Sequence, residues 1–251
     1  MSVPFSIVMI CKNEAHNILN ALKSVYGLSD DIVVYDSGST DATVQIVNTQ
    51  PARLIDGEWE GFGKTRQKAV DLAKYDWVLM VDADEKLSEG LRDELQQWQP
   101  AGETAYRIQL QNYIGQTHLK WGAWLNDKRV RLFNKKYWRW NEYIIHEKLL
   151  PTGKFQAATL QNPIRHTTAK SMEDYTKKMM QYACLTAELY YGQKKKQNWF
   201  RAYGGPAFTF VKNYVFLLGF LDGSAGFTLA KIISMYTYVK YKRLRRLYKS
   251  R

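Results

Sequence analysis

Over its first ninety residues the chain repeats one pattern: a short apolar run with strand-like composition, a polar junction, then apolar positions at helical spacing. Residues 5–10 form the first run, and from His16 onward Ile18, Leu19, Leu22 and Val25 recur at three- and four-residue steps. Residues 31–35 lead into Asp36-Ser37-Gly38-Ser39-Thr40-Asp41 and a helical stretch with Val44, Ile46 and Val47. A short run at 53–55, a junction at 59–67 and a helix through Ala69, Val70, Leu72 and Ala73 follow, and the apolar run 75–81 closes the series. Such alternation leaves few topologies: right-handed βαβ crossovers and a mainly parallel sheet with helices on both faces. In an open α/β sheet, ligands bind beyond the carboxyl ends of the strands. Asn13, Glu14, Asp36, Lys64, Arg66, Asp82 and Asp84 all fall at or just after such ends.

Asp82-Ala83-Asp84 is the most chemically pointed of these junctions. An extended backbone puts both carboxylates on one side and Ala83 on the other, and two like charges that close call for a cation. A hard divalent ion, Mg²⁺ or Mn²⁺, meets that need with oxygen ligands and keeps room for substrate phosphates; the structural alternative is a solvated acidic turn. The net charge of +12 points to an anionic partner: nucleic acid, an acidic membrane surface or a phosphorylated substrate. A nucleic-acid-binding module fits poorly, because the basic residues crowd the C-terminal end without a recognition motif and the D-x-D pair repels phosphates unless metal is bound. Cys11 and Cys184 lie far apart with no metal-ligand spacing, which fits a reduced, cytoplasmic protein. The first apolar run is cut short by Lys12-Asn13-Glu14 and lacks a preceding basic segment, so it is expected to be a strand and not a secretion signal.

Four pieces in order, Ile10-Cys11-Lys12-Asn13-Glu14-Ala15, Asp36-Ser37-Gly38-Ser39-Thr40-Asp41, residues 63–69 and Asp82-Ala83-Asp84, resemble the nucleotide-sugar half of the family 2 glycosyltransferases, whose fold is called GT-A. The similarity continues through residues 127–133, Ile145-His146-Glu147 and residues 219–223, and that wider pattern resembles the small bacterial branch that adds a β-1,4-glucose to a heptose of the lipopolysaccharide inner core. The resemblance implies a UDP-sugar donor, an inverting reaction and a lipopolysaccharide core acceptor. It places Asp36 on the uracil, with Gly38 in the same loop, and Asn13 and Glu14 along the base and ribose. Lys64 and Arg66 are expected at the diphosphate as cationic donors, Asp84 as a direct metal ligand, Asp82 at the ribose or at the metal through water, and His146 as a third metal candidate.

Attack by a sugar hydroxyl requires a carboxylate to take its proton. Asp127, which follows the aromatic stretch 120–126 and precedes the Arg-Leu-Phe motif, is the expected base, with Glu147 as rival. Trp121 and Trp124 are candidates for stacking on the acceptor or, alternatively, for packing. Arg129 and Arg131 alternate with Val130 and Leu132 and so share one strand face, turned either to acceptor phosphates or to solvent.

The expected division is a catalytic domain over 1–168 and a helical region over 169–251. Ser171-Met172-Glu173-Asp174 reads as a helix-opening cap, and Tyr175, Met179, Tyr182 and Leu189 recur at helical spacing behind it. Residues 208–221 are aromatic and apolar but shorter than a bilayer span requires. No acidic residue follows Asp222, while Lys240, Lys242, Arg243, Arg245, Arg246, Lys249 and Arg251 crowd the end among Tyr and Leu. A basic amphipathic tail of this kind suits anionic lipid head groups, a solvated helix end or a homo-oligomer contact. The expectation is a transferase peripheral to the inner face of the bacterial inner membrane. Its rivals are a transferase of the same fold that moves a different UDP-linked sugar to another membrane glycolipid or a capsule acceptor, and a non-catalytic membrane scaffold.

Overall fold

The computed structural model describes residues 3–101, 104–142, 147–153, 156–195 and 199–249. In chain order the elements are β1 (Ser6–Cys11), α1 (Ile18–Val25), β2 (Ile32–Asp36), α2 (Thr43–Asn48), β3 (Arg53–Asp56), α3 (Phe62–Asp71), β4 (Trp77–Met80), β5 (Glu85–Leu87) and α4 (Glu89–Gln96). There follow β6 (Ala105–Ile114), β7 (Thr117–Leu119), β8 (Lys128–Asn134), β9 (Trp138–Trp140), β10 (Leu149–Pro151), β11 (Ala157–Thr159) and β12 (Ile164–Ala169), then α5 (Met172–Gly192), α6 (Trp199–Val211) and α7 (Gly223–Lys249). They sort into two compact units, one of residues 1–110 with 127–166, the other of residues 111–126 with 167–251.

The first unit is the expected α/β architecture of GT-A type. Its strands run β3-β2-β1-β4-β8-β6; β3, β2, β1 and β4 are parallel, and β8 joins β4 antiparallel, with β6 antiparallel to β8 in turn. The sheet is therefore mixed beyond β4. The apolar runs are continuous because both faces are covered. Ile7 and Met9 of β1, Ile32 and Val34 of β2, and Trp77 and Leu79 of β4 face α1, α2 and α4 through one core. Val8 and Ile10, Val33 and Tyr35, and Val78 and Met80 face α3 through the other. Side chains alternate faces along a strand, so a single apolar run supplies both cores.

Asp31 fastens the end of this sheet opposite the carboxyl ends. Buried at the start of β2, it accepts from Arg53 Nε and Nη2 at 3.1 and 2.8 Å and from the Lys74 backbone N–H at 2.7 Å. Burial alone raises its pKa; the Ser6, Lys74 and Arg53 hydrogen bonds outweigh that and hold it below the usual carboxylate value.

In the second unit, the end of β6 pairs with β7 as an antiparallel hairpin, and α5, α6 and α7 pack together. Ser171 caps α5 as expected, its hydroxyl accepting from the Asp174 N–H at 3.1 Å. The core here joins Ile114, Leu119, Tyr175, Leu229 and Ile232.

Candidate active site

Three loops meet at the carboxyl ends of the parallel strands. The loop after β1 and the loop after β2 are stitched together: Asn13 N–H donates to Ser39 Oγ and Thr40 N–H to Asn13 Oδ1, both at 2.8 Å, while Glu14 N–H donates to Thr43 Oγ1 at 2.8 Å and Ala15 N–H to Asp41 Oδ2 at 3.2 Å. Asn13 adopts φ 58°, a left-handed conformation that Asn tolerates better than most residues. Asp36, the last residue of β2, is buried and serves its own turn. Its Oδ2 accepts from Gly38 and Ser39 N–H at 3.0 and 2.8 Å, and its Oδ1 from the Ser39 hydroxyl and the Cys11 thiol. Gly38 has φ 81°, which the turn requires and glycine supplies. Burial and the Asp36 charge push the Cys11 thiol far up, so it is an inert neighbour.

The third loop corrects the expectation for the D-x-D pair. The strand ends at Met80, and residues 82–85 form a turn closed by Glu85 N–H donating to Asp82 O at 2.9 Å. Asp82 and Asp84 are therefore not flank-mates on an extended strand; each takes a separate partner. Asp82 lies between two guanidiniums, with Arg66 Nη2 2.8 Å from its Oδ1 and Arg131 Nη2 2.8 Å from its Oδ2. Asp84 Oδ2 lies 3.3 Å from His166 Nε2.

Arg66 is buried on α3, which begins at Phe62, so Lys64 and Arg66 sit in the first turns of a helix and not in a preceding loop. The guanidinium of Arg66 also lies 4.9 Å from the Trp140 ring centroid, and its Nε 3.7 Å from Glu147 Oε1. Trp140 is held by its backbone N–H donating to Gln67 Oε1 at 2.9 Å. Lys64 is half-exposed, its Nζ 3.6 Å from Glu142.

Arg131 does not share the exposure of Arg129. It is 1% exposed and reaches both Asp82 and Glu85, whereas exposed Arg129 grips Asp127 through Nε at 3.2 Å and Nη2 at 3.4 Å. The buried end of β8 makes Arg131 part of an ion cluster and not part of an acceptor-facing surface.

Glu85 and His166 were not among the residues singled out in the sequence. Glu85 is 1% exposed, accepts from Arg131, and accepts the Asp82 backbone N–H at 2.9 Å. The adjacency of Glu85 to Asp82-Ala83-Asp84 was the available signal. His166 faces Glu85 in the antiparallel register of β12 on β5, a long-range pairing that leaves no local trace.

The electrostatics follow from these contacts. Burial alone would raise the Asp82 carboxyl, but Arg131 and Arg66 hold it far below the usual carboxylate range. Burial pushes the Glu85 carboxyl up, against the pull of Arg131 and with the push of Asp82. Burial pulls the His166 imidazole down, but Asp84 and the other carboxylates more than offset this and leave it raised.

The donor set tests the expected metal. Among the described residues no group of three or more His, Cys, Asp or Glu side chains is arranged to hold an ion, and His146 lies outside the described residues. Asp82 is already compensated by two arginines. Asp84, beside an imidazole and not a guanidinium, is the carboxylate whose chemistry fits a hard cation that takes one or two carboxylates and completes its shell with phosphate oxygens and water.

Trp121 and Trp124 belong to the second unit. Trp124 packs edge-on against Tyr175, with ring centroids 5.6 Å apart, beside the helical core. Trp121 is half-buried, and its backbone N–H donates to Asp222 Oδ2 at 2.9 Å.

Comparison with known proteins yields the following similarities. The sequence profile described as glycosyl transferase family 2 matches residues 6–157. An uncharacterized glycosyltransferase of Rickettsia typhi is 31% identical over 256 residues, covering 96% of this chain and 87% of that protein. The lipopolysaccharide core biosynthesis glycosyltransferase LpsC of Rhizobium meliloti is 24% identical over 255 residues, covering 95% and 93%. Among solved structures, S. aureus TarS superposes with a TM-score of 0.48 at 17% identity, over 95% of this chain; the chain spans 55% of the TarS length.

Proposed function

The chain belongs to glycosyl transferase family 2, and from that premise we propose that it moves glucose, with inversion, from UDP-glucose to a heptose hydroxyl of the lipopolysaccharide inner core. One observation carries the donor half of this reading. Arg66 and Arg131 converge on the Asp82 turn at the strand ends, and the Nε–H of each is buried without a hydrogen-bond acceptor among the described residues. Buried guanidinium donors left over beside a loop cluster suit a diphosphate, which accepts from Arg in forked geometry. The stitched loops carrying Asn13, Glu14, Asp36 and Gly38 supply the base and ribose end, with Lys64 as a more exposed cation at the entrance.

Asp84 would hold a Mg²⁺ or Mn²⁺ ion, which when bound to the diphosphate stabilises the charge growing on the leaving group. Arg66 and Arg131 fix Asp82 in its turn and thereby hold Asp84 in place, and His166 orients the Asp84 carboxylate. The acceptor half draws on the similarity to LpsC, a lipopolysaccharide core biosynthesis glycosyltransferase. Arg129 in the first unit and, separately, half-buried Trp121 in the second are its candidate contacts, while Trp124 is taken up by packing against Tyr175. The basic end of α7 suits anionic lipid head groups, which supports a reading of the enzyme as peripheral to the inner face of the inner membrane.

Of the two candidate bases, the contacts favour Glu147. It sits at the edge of the Arg66–Asp82 cluster, whereas both oxygens of Asp127 are engaged by Arg129. Removal of the acceptor proton in step with bond formation contributes about 10²–10⁴-fold. Transfer by Glu147→Gln is expected to fall by that factor with UDP affinity unchanged, while Asp127→Asn keeps turnover. The opposite pattern assigns the base to Asp127. A donor screen with truncated core acceptors tests the sugar and the acceptor; transfer of a different sugar, or only to another glycolipid, overturns that half.

A further inference from the structure

Apart from Trp59, Leu72, Leu150 and Leu185, every exposed large hydrophobic side chain among the described residues lies between Tyr203 and Tyr238. Concentrated exposure of this kind marks an interaction surface. Its crest is the elbow between α6 and α7, where Val215, Phe216, Leu218, Phe220 and Leu221 are all exposed and Phe216 reaches 71%.

The elbow is built, not loose. A Cβ on Gly219 would stand 2.5 Å from Asn213 O, and one on Gly226 would stand 1.9 Å from Gly219 O, so only glycine permits these backbone approaches. Asn213 is buried, its Nδ2 donating to Thr209 O at 2.7 Å. Leu218 is in the left-handed conformation at φ 58°, a costly choice for an aliphatic residue that the surrounding contacts enforce. Three further bonds tie the elbow to the Trp121 loop. Asp222 Oδ2 accepts from Lys120 and Trp121 N–H at 3.0 and 2.9 Å, and Gly122 N–H donates to Leu217 O at 2.8 Å.

Charge identifies the partner. Asp222 is the one acidic residue between Arg201 and Arg251, and its carboxylate oxygen is occupied by those backbone donors. Exposed Lys212 and Lys231 flank the elbow, and exposed Lys242, Arg243 and Arg246 continue along α7. Among the described residues no single helix is long and apolar enough to cross a membrane; residues 201–216 and 219–249 pass only as a pair bent by 73°. A bent apolar tip with basic flanks matches a segment that enters the head-group and acyl boundary without spanning.

We propose that the elbow of residues 215–221 inserts into one leaflet of an anionic bilayer, and that its bonds to Lys120, Trp121 and Gly122 hold the Trp121 loop at the lipid surface. The insertion stands on the elbow alone. The loop's service to a lipid-anchored acceptor rests on the glycosyl-transfer reading above.

Flotation of the full chain with phosphatidylcholine–phosphatidylglycerol vesicles and with pure phosphatidylcholine vesicles, at low salt and at about 0.5 M salt where charges are screened within a few ångströms, tests it. Wild type is expected to bind the phosphatidylglycerol-containing vesicles more strongly at low salt, through the basic flanks, and to retain binding to both vesicle types at high salt through the apolar elbow; equal binding to the two vesicle types at low salt overturns the anionic preference. The Phe216→Glu, Leu221→Glu double variant is expected to lose at least about tenfold in partitioning to both, with an unchanged melting curve. Leu185→Glu, an exposed apolar site on α5 outside the elbow, is expected to bind as wild type. If the glutamates impair folding, the corresponding serine pair gives the same readout. Wild-type binding abolished by salt, a double variant that binds like wild type, or one that changes only the oligomeric state overturns the insertion. Transfer to a delipidated, water-soluble acceptor separates the two readings: its absence in wild type counts against glycosyl transfer and leaves the vesicle result standing, while its retention in the double variant beside lost vesicle binding supports both.

Discussion

Replacing Arg131 with Met is the sharpest perturbation of the ion cluster. Arg131 Nη2 serves both Asp82 and Glu85, and the side chain is fully buried. Met fills a similar length without charge. Asp82 keeps Arg66 at 2.8 Å, but Glu85 loses its guanidinium inside the protein. Removing one partner of a buried pair costs about 3–5 kcal/mol, because the remaining charge is left uncompensated. With a urea slope of about 3 kcal/mol/M for a chain of this size, the midpoint should fall by about 1–2 M. The effect has a pH signature. Burial already raises the Glu85 pKa in the folded state; losing Arg131 raises it further, so the ionised form penalises folding above that pKa. As pH falls through it, Glu85 protonates and the gap between variant and wild type should narrow. Adding Glu85→Gln to Arg131→Met should recover more than half of the loss at neutral pH. The assay is urea unfolding by near-ultraviolet circular dichroism, with hydrogen exchange of β4 amides to place the loss in the first unit. A single variant that loses under about 1 kcal/mol, or a double variant no better than the single, refutes the claim that Arg131 compensates buried carboxylates.

Other consequences follow from the same contacts. The Asp31 pKa is lowered in the folded state, so its contribution is present above its unfolded value and lost as pH falls through the folded one; Asp31→Asn should lower stability at neutral pH and flatten the acid limb, read as urea midpoints at neutral and acidic pH. Gly226→Ala places a methyl 1.9 Å from Gly219 O, which the backbone must move to accept, so it should destabilise the second unit by about 1–3 kcal/mol in thermal unfolding and weaken vesicle binding. Arg66→Met should reduce UDP affinity by about tenfold or more, a charge-assisted hydrogen bond being worth about 1.5–3 kcal/mol, measured by calorimetry; unchanged affinity would remove Arg66 from the donor site.

The sheet was legible because its strands are buried on both faces: the apolar runs before Lys12, Asp36 and Asp82 could not serve a half-exposed sheet. The stitched loops after β1 and β2 were legible as junctions, since Gly38 and the Asn, Ser, Thr and Asp residues around it carry their own turn chemistry. The cluster was not. Arg131 alternates with apolar neighbours exactly as a solvated arginine would, and its burial depends on Asp82 and Glu85 more than forty residues away in the chain. The D-x-D reading assumed that the strand continued through Asp84, but the turn starts at Asp82 because Glu85 bonds back to it through both its amide and its carboxylate. His166 reached Asp84 through strand pairing alone. Apolar pattern reports the fold; opposite charges that neutralise one another across the sheet leave no periodicity to read.

In the function proposed above, the turn from Asp82 to Glu85, with the loops beside it, forms a UDP-sugar site completed by a divalent ion. Titration calorimetry of the full chain with UDP, in chelator and then with Mn²⁺, tests it most directly. UDP binding is expected to tighten at least about tenfold with the metal, through the charge stabilisation a bound cation gives a diphosphate, and to lose this gain in Asp84→Asn. UDP binding absent under both conditions, or present with no response to metal, would contradict it.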